Sequence, residues 1–493
     1  MERYLAFDCG AGSSRAYLGD LSDRQLRIEE IARIPNEAVL IGGHLYWDVP
    51  AMFGMMLEAM EACANDTSNR PSAIGIDTWG VDFGLVDDKG ELLGMPHASR
   101  DIRTRGIKDE FLKLMPADAL YRTTGQALGE VRTVFQLYSM VRSRDPRLDS
   151  ATDLLFMPDI FAFYLTGQKK TEFSIATGSL LFNILQREWD TEILSLLGLR
   201  QTLMQEVVPP GTIVGHLSSA IAGQTSLRDT PVVAGVTHDT GAAVAAVPAG
   251  DDNFAYVSSG TMSLIGIESP EPVTNDAAYA GSFANQGGAF DTYRVIRNIQ
   301  GLWLLQECQR YWSRIDSYTT EELCELAIAS PRTGAVVDSD SPGFLKPPSM
   351  PAAVQEFCSH TGQPVPEGIG PIVRTILESL AVAYAYTMEQ LAGLNVKTIE
   401  RLHIVGGGAR NTLLCQLAAD ATGLPVYAGP VEATAIGNVL MQAHALGSIS
   451  SLADLRQVVR DSFDINIYEP RRDSYWDDMH ATYKQVRQDT VLY

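Results

Sequence analysis

The sequence predicts an α/β protein of two large domains, each built on a mixed sheet that begins with a hairpin. Three observations predict it. First, two segments half a chain apart read alike: Tyr4-Leu5-Ala6-Phe7-Asp8-Cys9-Gly10-Ala11-Gly12-Ser13-Ser14-Arg15-Ala16-Tyr17-Leu18 and Phe254-Ala255-Tyr256-Val257-Ser258-Ser259-Gly260-Thr261-Met262-Ser263-Leu264-Ile265. Each is an apolar strand, a small hydroxyl-rich turn and a second apolar strand. Second, 493 residues exceed what one hydrophobic core holds. Third, apolar runs long enough for strands buried on both faces alternate with helical spacings, the pattern of an α/β layer fold.

In order, the first hairpin is followed by a third strand near 26–34, a helix around 49–63 with Met and Leu at helical spacing, and a strand at 73–77 that leads into Thr78-Trp79-Gly80-Val81-Asp82. Residues from about 105 to 225 read as mostly helical. A strand at 232–236 delivers Thr237-His238-Asp239-Thr240, and the small apolar residues 241–247 suit a helix. The second hairpin then leads to a strand at 293–297, a helix containing Leu302 to Leu305, and a long helix at 372–391 capped by Gly393. The last stretch alternates strand 402–405, the turn Gly406-Gly407-Gly408, a helix N-capped by Asn411, strand 424–427 and a helix from 432 to about 445. The expected domains are 1–245 and 246–493.

The formal charge of −22 argues against nucleic acid and anionic membranes as partners, since both need a basic face. An anionic substrate must be held by local donors and metal. The six cysteines include no Cys-x-x-Cys pair, so neither a zinc site nor a thioredoxin-type motif is visible. No leader pattern opens the chain and no long apolar run occurs, so a cytoplasmic monomer or homodimer with reduced thiols is expected.

Glycine lets backbone N–H groups approach an anion closely, and Ser and Thr add hydroxyl donors. The two hairpin tips, Ala11 to Arg15 and Ser259-Gly260-Thr261, are therefore candidates for holding a polyphosphate between two domains, although either alone could be a plain hairpin. Asp8 beside phosphate-binding amides would be repulsive without a cation, which implies Mg²⁺ there. Gly406-Gly407-Gly408 after a strand admits a flat ring or a phosphate to the backbone, or is merely a tight connection. It fails the dinucleotide fingerprint, and no Walker P-loop occurs.

His238-Asp239 lies where ligands of open α/β folds bind, outside the carboxyl end of a strand. Asp239 could orient and deprotonate a hydroxyl, or the pair could simply cap the following helix. Thr78, Trp79, Gly80 and Asp82 place an aromatic face and carboxylates at a strand end, which suits a polyol, though Trp79 could be core filler. Arg100, within Ser99-Arg100-Asp101-Ile102-Arg103, supplies a charged donor at the next loop, where a surface ion-pair cluster is the default.

At these residues the chain resembles the FGGY family of sugar kinases, within the actin/hexokinase/Hsp70 ATPase fold, over nearly its whole length. The resemblance rests on Asp8-x-Gly10 with Ser13 to Arg15, Gly75 to Phe83, Met157-Pro158-Asp159, His238-Asp239-Thr240, Ser258 to Thr261, Asn298 with Gly301 to Gln306, His403 to Gly408, and Gly429 to Ala433. It implies two actin/hexokinase-like (ribonuclease H-like) domains with a central ATP/sugar cleft. It also implies Asp239 as general base, with Gly80, His238 and Asp239 on the sugar. Ala11 to Arg15, Thr261, Asn298, Gln306 and one of the glycines, Gly407 or Gly408 with Asn411 following, would hold ATP, and Asp8 would hold Mg²⁺. The implied acceptor is O1 of a 6-deoxyketohexose, L-rhamnulose, with L-fuculose or xylulose as alternatives. The chain departs from the pattern near the expected sugar pocket, at Ser99, Met262 and Glu130-Val131-Arg132-Thr133.

Overall fold

The computed structural model describes residues 2–65 and 70–490. It separates into two compact units, one of Met1–Ala246, Glu268–Val295 and Ala433–Ser462, the other of Val247–Ile267, Ile296–Glu432 and Phe463–Tyr493.

The first unit is built on β1 (Glu2–Cys9), β2 (Ser13–Ser22), β3 (Gln25–Pro35), β4 (Ala73–Thr78), β5 (Thr212–His216) and β6 (Pro231–Ala234). Their order is β5-β6-β4-β1-β2-β3. The pairs β1/β2, β2/β3 and β5/β6 are antiparallel, whereas β1/β4 and β4/β6 are parallel. β4 is buried along its whole length because helices cover both faces, which is why it reads as a continuous apolar run. Helices Val49–Asn65 and Met157–Thr166 contribute Met52, Met56, Met60, Ile160 and Phe161 to one core with Leu5, Phe7 and Ile74. Helix Ala433–Ala445 packs on β1 and β4. There Gly75 lets the helix approach closely, since a Cβ would lie 2.6 Å from Gln442 Nε2.

In the second unit, β7 (Phe254–Ser259), β8 (Met262–Ser269), β9 (Tyr293–Gln300), β10 (Arg401–Val405), β11 (Val426–Ala428) and β12 (Asn466–Tyr468) order as β9-β8-β7-β10-β11-β12. Again a leading antiparallel hairpin (β7/β8) is followed by parallel neighbours β10 and β11 and an antiparallel edge strand. The duplication read from two hairpins thus extends to six strands, and the second sheet adds a seventh, Ala284–Gly287, beside β9. The difference is that the edge strand β5 precedes its neighbour in the chain, whereas β12 follows it. The core helix Ile369–Gly393 buries Ile372, Ile376, Leu380, Tyr384 and Leu391.

Two expectations are corrected. Residues 105–225 are not mostly helical: short helices alternate with strands at Asp153–Phe156, Thr171–Glu172, Phe182–Asn183, Glu188–Trp189, Val207–Val208 and β5. Brief apolar runs carry no period that separates a buried strand from a buried helix. Gly393 does not cap the long helix but lies inside it. Leu394 ends the helix in the right-handed region, and the positive φ of 55° falls to Asn395, whose side chain tolerates it.

Candidate active site

In the first unit the parallel strands β1 and β4 bring Asp8 and Asp77 into register. Both are buried. Arg15 Nη2 donates to Asp8 Oδ2 at 2.6 Å, and Asn438 Nδ2 to Asp77 Oδ2 at 2.5 Å. Asp77 Oδ1 has no hydrogen-bond partner among the described residues. Burial, then the carboxylates of Asp8 and Asp239, push the Asp77 carboxyl well above its usual range. Three carboxylates therefore converge at the strand ends. Among the described residues no three acid, His or Cys side chains gather closely enough to ligate one ion directly. The arrangement fits a hydrated divalent ion approached through water, as Mg²⁺ commonly is.

The tip between β1 and β2 is a tight turn in which Gly10 N donates to Ser13 O, pinned from behind by Asn36 Nδ2 on Gly10 O at 2.8 Å. Ala11 and Gly12 are exposed.

Beyond β6 the chain bridges Thr78 at His238, with Thr78 N donating to Thr237 O at 2.9 Å. The capping alternative for this pair is half right: His238 is the N-cap of Asp239–Ala245, without a side-chain capping bond, and Asp239 is the first helical residue. Asp239 Oδ1 accepts from Thr240 N at 2.5 Å and lies 3.0 Å from His238 Nδ1. Oδ2 has no protein partner among the described residues, and the side chain is partly exposed. One carboxylate oxygen is anchored and the other is not. His238 Nδ1 also meets Thr240 Oγ1 at 2.9 Å, and burial holds the imidazole pKa below its ordinary value, favouring the neutral ring. Gly80 lies against this ring, with room for no side chain: a Cβ would sit 2.8 Å from Nε2.

The loop that follows is anchored more than it is open. Asp82 is buried, and its carboxylate accepts from Trp47 Nε1 (2.6 Å), Trp79 Nε1 (2.9 Å), Ser99 N (3.1 Å) and Gln136 Nε2 (3.0 Å). Trp79 packs on Trp47 with ring centroids 4.2 Å apart. Val81 takes a φ of 77°, costly for a β-branched residue, and its carbonyl is held by Thr133 Oγ1 at 2.8 Å and Gln136 Nε2 at 3.2 Å. Asp82 therefore shapes the loop through its protein donors. Arg100 is exposed and lies outside this network.

Several supporting residues escaped sequence reasoning. Buried Glu172 accepts from Thr237 N (3.0 Å) and Thr237 Oγ1 (2.9 Å), while Ser174 Oγ accepts from His238 N (3.1 Å), which fixes the strand exit. Arg294, fully buried, donates from Nη1 to Thr240 Oγ1 at 2.9 Å. Asn438 and Gln442 had a readable signal, being two amides one helical turn apart on a face otherwise small and apolar. Glu172 and Arg294 had none.

In the second unit the β7/β8 tip is braced by the start of helix Trp303–Trp312. Gly301 N donates to Thr261 O at 3.0 Å, Leu302 N to Gly260 O at 3.0 Å, and Thr261 Oγ1 to Gln306 Oε1 at 2.9 Å. Beyond β10, Gly406 adopts a φ of 83° that only glycine takes easily. Gly407 faces open space, and Gly408 is pressed against the Ser259 side chain. Asn411 N-caps Thr412–Thr422 through Leu414 N at 2.9 Å. Ser259, Gly260, Thr261, Gln306, Gly407, Gly408 and Asn411 thus share one end of the sheet, and Asn298 is exposed on β9. The residues read for sugar and metal lie in the first unit with the 11–15 tip, and the others read for nucleotide in the second.

Residues 3–246 match the N-terminal domain of the FGGY family of carbohydrate kinases, and residues 255–446 match its C-terminal domain. The chain belongs to the FGGY family of carbohydrate kinases. This FGGY kinase is 40% identical over 483 residues to a rhamnulokinase of Bacteroides thetaiotaomicron, covering 98% of this chain and 99% of that one. Among solved structures, a xylulose kinase from Rhodospirillum rubrum aligns with a TM-score of 0.82 at 17% identity, covering 99% of this chain and 100% of that one. A glycerol kinase from Plasmodium falciparum with ADP aligns at 0.82 and 15% identity, covering 100% and 99%. The FGGY kinase thus has the two-domain α/β fold of sugar kinases. Its six cysteines are free thiols, and no described helix is long and apolar enough to cross a membrane.

Proposed function

We propose that this FGGY kinase transfers the γ-phosphoryl group of ATP to O1 of L-rhamnulose in L-rhamnose catabolism in the cytoplasm. The observation that carries the substrate is the 40% identity to a rhamnulokinase over nearly the whole of both chains. The chemistry is supported by Asp239, whose Oδ1 is anchored while Oδ2 is left for the sugar hydroxyl.

In this reading Gly80 and His238 form the wall against which the ketose lies, with Thr78 and Trp79 behind it and Arg100 at the rim. Asp239 Oδ2 accepts the hydrogen bond of the attacking hydroxyl, orients it in line and takes its proton as the new O–P bond forms and the bond from the γ-phosphorus to the departing ADP breaks. A base of this kind contributes roughly 10²–10⁴ in rate. Asp8, across from Asp77, would hold Mg²⁺ through water, and the ion would neutralise charge on the transferring phosphoryl group. Arg15, paired to Asp8, orients that carboxylate. Ala11, Gly12, Ser13 and Ser14 offer amides and hydroxyls to phosphate, as do Ser259, Gly260 and Thr261. Gln306 braces Thr261, Asn298 supplies a further polar contact, and Gly407, backed by Gly408 and Asn411, gives the nucleotide ring a flat seat. The domain division near residue 245 assigns the sugar and first phosphate loop to 1–245 and the nucleotide to 246–493.

The test is ADP release with a panel of ketoses at equal concentration. L-Rhamnulose is expected to give the highest kcat/KM, with weaker activity on L-fuculose or L-xylulose. A clear preference for D-xylulose or glycerol would overturn the substrate.

A further inference from the structure

Arg132 is a cation more than nine-tenths buried without an acid to pair with. Its Nε donates to Ala127 O at 3.2 Å and its Nη1 to Gly178 O at 3.0 Å. Among the described residues Nη2 has no acceptor and the guanidinium no carboxylate. Burial without such a partner pulls the guanidinium pKa down to about 10. Fixing a charge there with only two carbonyls is costly, and a stability role alone would be met better by an apolar side chain.

Its position leads to the reacting end of the first unit. Gly178 follows Thr177, whose Oγ1 accepts from Gly287 N at 2.8 Å, and Gly287 O accepts from Arg294 Nε at 3.0 Å. Arg294 donates to Thr240 Oγ1, which meets His238 Nδ1. On its other side, Thr133 and Gln136 hold the carbonyl of Val81, next to Gly80. The guanidinium is near enough to His238 for its charge to disfavour ring protonation.

We infer that Arg132 is a specificity-determining residue, donating from Nη2 to an oxygen of the bound ketose other than the hydroxyl held by Asp239. The inference rests on the ketose kinase reading above. A site that hydrogen-bonds a particular hydroxyl discriminates against a sugar lacking it or placing it elsewhere, because that bond is then lost.

The experiment compares wild type with Arg132→Met and Arg132→Gln in steady-state kinetics with L-rhamnulose and L-fuculose, with KM for ATP and thermal stability measured alongside. Gln can keep one bond to a carbonyl, so it serves if the Met variant does not fold. Expected is a rise of at least tenfold in KM for L-rhamnulose, an unchanged KM for ATP, and a fall in the L-rhamnulose to L-fuculose kcat/KM ratio. An unchanged ratio, or equal losses for ketose and ATP that track lowered stability, would reduce Arg132 to a loop brace and overturn the inference. Wild-type protein that releases no ADP with either ketose would instead overturn the ketose reading.

Discussion

Replacing Gly80 by alanine places a methyl carbon 2.8 Å from His238 Nε2 and 3.1 Å from Cδ2, where ordinary contact begins near 3.4 Å. The His238 ring must therefore retreat by several tenths of an ångström. It is not free to do so, because it is buried and held at Nδ1 by Thr240 Oγ1 (2.9 Å) and Asp239 Oδ1 (3.0 Å), with its backbone N–H on Ser174 Oγ. Overpacking of this kind costs roughly 1–3 kcal/mol. If the ring carries the Asp239 carboxylate with it, that cost enters the transition state, and about 1.4 kcal/mol is tenfold in rate. Gly80→Ala is expected to lower kcat/KM for the ketose by about 5- to 150-fold and to leave KM for ATP unchanged, as read by coupled ADP release. The cause is isolated by repeating the substitution in a His238→Ala background, where the methyl has room and should cost little further. An equal loss in both backgrounds would refute the argument that Gly80 acts through the ring.

Gly408→Ala drives a methyl into the Ser259 side chain and should raise KM for ATP about tenfold, with KM for the ketose unmoved; isothermal titration with each substrate separates the two. Asp8→Ala should raise the Mg²⁺ concentration needed for half-maximal rate, and an unshifted Mg²⁺ titration would remove Asp8 from metal binding. Asp159, buried and accepting from Phe156 N and Thr171 Oγ1, has its carboxyl pushed up by burial to about 8. It is neutral in the fold at neutral pH but ionised above about 4 when unfolded, so its stabilising contribution is full below about 4 and falls as pH rises toward 8. Urea midpoints for Asp159→Asn should therefore decline less between pH 5 and pH 8 than those of wild type; parallel declines would contradict the assignment.

What was legible in the chain follows from how strong each local signal is. Both leading hairpins and the strands buried on two faces show as unbroken apolar runs, and the Gly/Ser tips mark their ends, so the duplicated sheet could be read from Phe7 or Val257 outward. The strand-end carboxylates were equally plain, because Asp8, Asp77 and Asp239 each follow such a run. The anchoring of Asp82 was not: whether a carboxylate faces a sugar or four protein donors depends on Trp47, Ser99 and Gln136, brought in from distant segments. Arg294 and Glu172 were hidden for the same reason, since each acts on the His238 turn through contacts more than fifty residues away in sequence. The missed strands between 105 and 225 are two to five residues long, too short for a period of two to show.

The proposed mechanism turns on Asp239 activating the ketose hydroxyl in this FGGY kinase. Asp239→Asn keeps the shape of the side chain and can still fold the turn around His238, but it cannot take a proton. Turnover of L-rhamnulose with ATP, measured beside the binding of each substrate, is therefore the most direct measurement. Near-normal binding of both substrates is expected, with turnover lower by about two to four decades. Turnover within a few-fold of wild type would contradict it.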